Sequence, residues 1–567
     1  MPWCGVLLTR TYLRINESYE KPEEQKKRKK KERFWQFPPH SNDIEFQKYY
    51  NSTCQIDPAT CQLYEFGKTH PKPIGIMTTS SGKLIEIRES TAFNSDLFSN
   101  QYSIDSITHD DAETIPERLV HAKGSLAFGY FEVTHDVSNY TKADVLNGIG
   151  KKTPVSVRVS SALQNLGGND VAREPKGFAV KFYTKEGNWD LVTLTTPVFI
   201  HRDPNIFTTL LHSFKRNPKT NLYDFTMRWD FITKIPASLT GVLYILSDYG
   251  IPNGYRKMDT FAIHTFVIIN KYGDKHFVRF NFRTEQGVEV LTTEEALIIG
   301  GRDPDYYNRD LYNAIENKNY PAWKLEMDVM TLDSIKQIDY NPFDVTRLWK
   351  NGTYYTVPIG RLVLNKNPDN FFRTVELSAF HPGNLIPGIP GPMDNLFRAR
   401  KLSYRGTQVY RLGVNHNNIK INEPLYWKKI YNRDGKPPVR ENMKDAPNYY
   451  PNSFNGPVSY IDPARPKERF TILESYAVDL ETASYFYNDY LCDDGQRQRL
   501  VNNIVLSLVP VSPHLQKRAI RLLTLTDQDL GRRVQAELEV AKQIPLPPSL
   551  PGIPIPRNCA NRNSTEG

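Results

Sequence analysis

The sequence predicts an α+β fold: an antiparallel barrel or sheet, then an irregular segment, then a helical end. Three observations predict it. Short alternating apolar runs fill residues 119–366, as half-buried antiparallel strands do. Residues 367–470 are rich in Pro, Gly and Asn and carry no long periodic segment. Helical periodicity returns across 480–543.

Residues 1–73 mix charge runs, Pro and Asn without periodicity, which predicts a basic, mostly disordered extension. Residues 74–118 are polar and irregular, an N-terminal arm rather than a domain. In the body, Leu126 to Val133, Val155 to Val159, Phe178 to Tyr183, Thr265 to Ile269 and Phe277 to Phe282 read as strands. A helix is predicted around Ala237 to Ser247. The segment 367–470 either is disordered or wraps over a partner, and its many aromatics favour wrapping. Within 471–543, Leu500, Val501, Ile504, Val505 and Leu508 share one helical face, with Arg497, Arg499 and Asn503 on others. The Pro-rich run IPLPPSLPGIPIP sets 544–567 outside the folded part.

Composition excludes several classes. The run KKRKKKER at residues 26–33 contributes +6 of the net +9, so the rest of the chain is only weakly basic. No basic stripe recurs, which argues against nucleic acid as a partner. No window reaches the roughly 18 apolar residues of a membrane span. The opening MPWCGVLLTRTYLRINES has no basic leader before its apolar patch and no small-residue cleavage site. Five cysteines, odd in number and without C-x-x-C spacing, argue against a disulfide framework and a zinc site and favour a reducing compartment. Asn51, Asn139 and Asn351 begin N-x-S/T triplets, which arise readily by chance.

Three clusters carry chemistry. In IPERLVHAKGSLAFGYFEVTHD, residues 115–136, His121 precedes an aromatic-rich strand and Arg118 sits three residues before it. VSVRVSS, residues 155–161, offers Arg158 and Ser160 on one strand face. In ARKLSYRGTQVYRLG, residues 399–413, Arg400, Tyr404 and Arg411 are spaced four and seven apart, one face of a helix.

In order and spacing these clusters resemble the monofunctional haem catalases. The resemblance continues through REPKGFAVKFYTKEGNWDLV, LLHSFKRNP, SDYGIPNGYRKM, DPDYYNRDLYNAI, NPFDVTRLW, GRLVLNKNP and APNYYPNSF, across about residues 75–543. It implies the catalase fold: an eight-stranded antiparallel β-barrel with an arm, a wrapping segment and a C-terminal helical domain. It implies haem b held by Tyr404 as axial phenolate, with Arg400 stabilising the phenolate and His264 and Asp394 continuing a proximal relay. Arg118, Arg158 and Arg411 would pair with the haem propionates, and Val120, Phe199 and Phe207 would line the haem faces. His121 would be the distal base and Ser160 its partner.

The sequence departs from the family pattern where a distal asparagine is expected, and Leu194 stands there, which implies slower turnover. Phe214 replaces a glutamine, Glu174 an aspartate and His381 another aspartate. Around Tyr404, Leu402 and Gly406 stand where the family signature has Phe and Asp. Thr240, Tyr249 and Phe261 replace residues that hold NADPH in many catalases, leaving only Arg283 and Trp349 compatible, so NADPH binding is doubtful. The implied activity is decomposition of hydrogen peroxide to oxygen and water by a homotetramer, in the peroxisome or the cytoplasm. Two other readings are a haem protein turned to peroxidase or lipid-hydroperoxide chemistry, and a catalase-like protein without turnover.

Overall fold

The computed structural model describes residues 54–70, 74–85, 101–426, 430–462 and 479–544. Residues up to Glu113 form one unit and those from Thr114 a second. The basic run 26–33 and the Pro-rich stretch from residue 545 lie outside the described residues.

In the first unit, Cys54 and Cys61 form a disulfide, contrary to the expectation from cysteine count. The 3-10 turn Pro58–Thr60 between them brings their Cα atoms to 5.3 Å, within bridging range, a closeness that no spacing rule registers. A helix follows at Gln62–Thr69, so this part of the expected extension is ordered. The predicted arm contains a helix at Gln101–Asp110.

The second unit is built on strands β1 (Gly124–Val133), β2 (Lys152–Ser161), β3 (Lys176–Thr184), β4 (Gly187–Leu194), β5 (Thr260–Phe261), β6 (Phe266–Ile269), β7 (Lys275–Thr284), β8 (Ala322–Thr331) and β9 (Tyr355–Lys366). A two-residue stub, β10 (Gly391–Pro392), pairs with β6. All pairings are antiparallel. β5 and β6 lie end to end along one edge of β7 and act as a single interrupted strand. β1 pairs with β9, β9 with β8 and β8 with β7, so eight strands close on themselves and no long edge is left open.

Strand alternation decides what fills the barrel. Phe131, Phe178, Phe182, Trp189, Phe280, Phe282 and Trp323 are fully buried there. They meet as offset or edge-on rings, with Phe182 against Trp189 at 4.7 Å and Phe178 against Trp323 at 4.9 Å.

A second core is helical. Helices α1 (Phe207–Phe214), α2 (Phe225–Lys234) and α3 (Leu239–Leu246) follow β4. α4 (Asn395–Leu412) lies inside the otherwise irregular stretch after β9. α5 (Asp494–Leu508), α6 (Pro513–Thr526) and α7 (Gln528–Gln543) end the described chain. Leu500, Val501, Ile504, Val505 and Leu508 are buried on α5 as the periodicity predicts, in one cluster with Trp229, Leu239 and Leu243. Among the described residues no helix is long and apolar enough to cross a membrane.

Phe280 touches both Phe266 and Trp189 inside the barrel. Phe280→Ala should lower the free energy of unfolding by about 3–5 kcal/mol, measured by denaturant titration; a loss under about 1 kcal/mol would contradict this packing.

Candidate active site

The barrel wall has two faces with different duties. Along β2, Val155, Val157 and Val159 enter the core, so Arg158 and Ser160 take the opposite face. Along β3 and β4 the same parity buries Phe178, Val180, Trp189 and Leu191 and turns Gly177, Ala179, Val192 and Leu194 outward. These outward residues line one cavity of about 600 Å³, whose other walls include α1 to α4, Ser507 of α5 and the segments before β1, before β3 and before α4.

His121 sits just before β1 with φ of 63°, a left-handed backbone that a non-glycine residue rarely adopts. Its N–H donates to the Ala162 carbonyl at 2.9 Å, which holds this conformation. Its Nδ1 lies 3.0 Å from Ser160 Oγ. Gly177 is opposite Ser160 in the sheet, and a Cβ there would come 2.7 Å from Ser160 Oγ and 2.8 Å from His121 Nδ1. Only glycine leaves room for this pair. Leu194 is opposite Gly177 on the next strand, so the row runs Ser160, Gly177, Leu194 and ends without a donor. Burial, and then the cations Arg158, Arg400, Arg118 and Lys176, depress the His121 pKa to about 3, so the imidazole is neutral at ordinary pH.

Also lining the cavity, α4 carries Arg400 and Tyr404 one turn apart, and Arg400 donates to Tyr404 Oη at 2.9 Å. The other guanidinium nitrogen lies 2.8 Å from His264 Nε2. His264 Nδ1 lies 2.8 Å from Asp394 Oδ2. Asp394 caps α4, its Oδ1 accepting the Phe397 N–H at 2.8 Å. His264 and Asp394 are both buried. Burial lowers the His264 pKa against the pull of Asp394, while the Asp394 pKa falls despite burial because His264 and the Phe397 amide stabilise its charge. The four residues expected to act together form one unbroken chain.

Arg118, Arg158 and Arg411 also line the cavity. Arg118 and Arg411 approach the Glu376 carboxylate at 3.4 and 3.8 Å. Arg158 donates to the Ala122 carbonyl at 3.0 Å, and its buried Nε has no partner. Two of the three guanidiniums therefore share one carboxylate, and Arg158 has none within salt-bridge distance. Burial and their mutual repulsion push the Arg118 pKa well down, and burial lowers that of Arg158 to about 10.

Val120, Phe199 and Phe207 line the same cavity, as do Phe214 and Glu174. Burial raises the Glu174 pKa. His381 is not part of the lining: its Nδ1 accepts the Gly383 N–H at 3.0 Å, and its Nε2 lies 2.9 Å from the Lys401 carbonyl. Sequence reasoning missed Gly177, Glu376 and the strained backbone of His121. A glycine inside an apolar strand, as in KGFAVKF, is the one signal that pointed to a close approach.

The family profile described as Catalase matches residues 78–456, and that described as Catalase-related immune-responsive matches residues 479–538. The chain belongs to the catalase family. It is 40% identical over 505 residues to a catalase of Drosophila melanogaster, covering 86% of this chain and 98% of that protein. It is 43% identical over 444 residues to a catalase of Glandirana rugosa, covering 77% of this chain and 83% of that one. Among solved structures, catalase A from Saccharomyces cerevisiae superposes with a TM-score of 0.77 at 36% identity, covering 81% of this chain and 98% of its own. A fungal catalase superposes with a TM-score of 0.78 at 33% identity, covering 82% and 97%.

The catalase family implies a haem cofactor, and the cavity fits one. A phenol held by a half-buried guanidinium, apolar and aromatic walls, and three guanidiniums of which only two meet Glu376 match a flat apolar macrocycle bearing two carboxylates.

Gly177→Ala should force the His121 ring away from Ser160, giving an Nδ1–Oγ separation beyond about 3.5 Å in a crystal structure; an unmoved ring would refute the close-approach account. A second test concerns linkage. Because the folded His121 pKa is about 3 against 6.5 for a free histidine, protonation of the unfolded chain opposes folding as pH falls. His121→Gln should therefore flatten the loss of stability between pH 6.5 and about 4, and an unchanged slope in pH-dependent denaturation would contradict it.

Proposed function

We propose that this chain is a haem b catalase that converts two hydrogen peroxide molecules to oxygen and two waters, with turnover slowed by Leu194. The observation that carries the reading is the placement of His121–Ser160 and Tyr404–Arg400–His264–Asp394 on one cavity.

Haem, when bound, supplies the iron that exchanges electrons with peroxide, and Tyr404 would hold that iron. Arg400, donating to Tyr404 Oη, fixes the position of the phenol oxygen in the cavity lining. Arg118, Arg158 and Arg411 would receive the two propionates, supplying the partner that Arg158 Nε lacks. On the distal side the neutral His121 Nε2 can take a proton from peroxide and return it to the departing oxygen. Ser160 fixes the ring by its contact with Nδ1. Leu194 offers no hydrogen bond to the second peroxide oxygen and presents only a methyl-lined wall.

A dinucleotide is not part of this proposal. Thr240 is bonded to Thr482 at 2.9 Å, and Tyr249 stacks on Tyr244 at 5.2 Å. Arg283 is held by Asp259 and Glu326 at 3.1 and 2.6 Å, contacts with which a phosphate would have to compete. The proposed assembly is a homotetramer. Phe454, Val458, Tyr460 and Ile461 are exposed in the irregular stretch, an apolar surface that suits burial against another subunit.

The purified chain should show a haem absorption band and release oxygen on addition of peroxide. Bound haem without oxygen release favours the peroxidase-type or inactive reading that Leu194 invites; no haem at all rejects the proposal. Leu194→Asn should raise turnover by about 10²–10³, and equal turnover would sink the assigned role of this position.

A further inference from the structure

At its helical end the cavity holds a cation that the peroxide chemistry does not use. Arg228, on α2, lines the cavity together with Leu211, Phe214, Phe225 and Ile232. Its guanidinium lies 5.1 Å from the Phe225 ring, 5.3 Å from the Tyr223 ring and 5.7 Å from the Phe214 ring. One nitrogen donates to the Phe214 carbonyl at 3.1 Å. Its Nε is buried and has no hydrogen-bond partner. Glu174 is the carboxylate in the same cavity: Oε2 accepts the Leu163 N–H at 2.9 Å, while Oε1 lies 3.9 Å from Lys176 Nζ without a hydrogen-bond partner, and no salt bridge joins it to Arg228. Burial lowers the Arg228 pKa, and Tyr223 and the Glu174 carboxylate offset this only in part.

A partly buried guanidinium caged by aromatic rings and short of one acceptor is poised for an anion. The walls select which anion. The residues around Arg228 are mostly aliphatic and aromatic, and Arg173 of the same lining already donates to the Ile245, Leu246 and Ser247 carbonyls and to Thr293, so a multiply charged ligand would lose more hydration than one guanidinium restores. A single carboxylate on a hydrocarbon tail satisfies both features. We propose that the helical end of the cavity binds an apolar monocarboxylate of the fatty-acid type, its carboxylate paired with Arg228 and its tail along Leu211, Phe214 and Ile232. Arg228 lines the same cavity as His121 and Leu194. This inference does not rest on peroxide turnover.

The test is calorimetric titration of the full-length, haem-loaded chain with octanoate and, separately, with 1-octanol, repeated on Arg228→Gln and Arg228→Lys, whose folding is checked by circular dichroism. Octanoate should bind the native chain, weaken by about tenfold or more in Arg228→Gln and recover in part in Arg228→Lys, while octanol binding changes by less than about twofold. No octanoate binding by the native chain, equal octanoate binding by Arg228→Gln, or equal losses for octanoate and octanol would each overturn the proposal.

Discussion

The site depends on one chain of hydrogen bonds, buried at Asp394 and His264 and running on to the half-buried Arg400 and Tyr404, with contacts of 2.8, 2.8 and 2.9 Å. Each member does a structural job as well. Asp394 caps the helix that carries Arg400 and Tyr404, so the carboxylate that anchors the relay also starts the helix at the right residue. The four-residue spacing then brings the guanidinium to the phenol oxygen. His264, next to the barrel strand β6, ties that helix to the barrel. In the proposed function this phenol, lining the cavity, is the group that would hold the haem iron.

The barrel supplies the opposite side through parity alone. The strand face that is not needed for the core carries Arg158, Ser160, Gly177 and Leu194 into the cavity, so one alternation builds both stability and site. His121 reaches the cavity by an unfavourable left-handed backbone, held by its amide bond to Ala162. The three guanidiniums beside it are under-compensated by Glu376, an arrangement that makes sense around a ligand bringing two negative charges.

Much of this was legible in the sequence, for stated reasons. The period-2 runs located five strands, and the α5 periodicity gave its buried face, because one-sided burial writes itself into residue order. The spacing of Arg400, Tyr404 and Arg411 placed them on one helix face. β8 and β9 were not read as strands, and β4 entered only as a family motif; in β4 the face opposite the core carries Asp190 bonded to Lys181 and then Val192 and Leu194 on a cavity, so no clean apolar–polar alternation appears. The Cys54–Cys61 bridge was contradicted by counting because a turn, not a motif, brings the pair together. Gly177 and Glu376 act through contacts between residues far apart in sequence, which no local pattern encodes.

The account stands most directly on Tyr404. A stoichiometric haem titration followed by visible absorption, on the native chain and on Tyr404→Phe, measures it. The account predicts one tightly held haem per native chain and a weakened, spectrally altered complex in the variant. Equal affinity and identical spectra for both would contradict it.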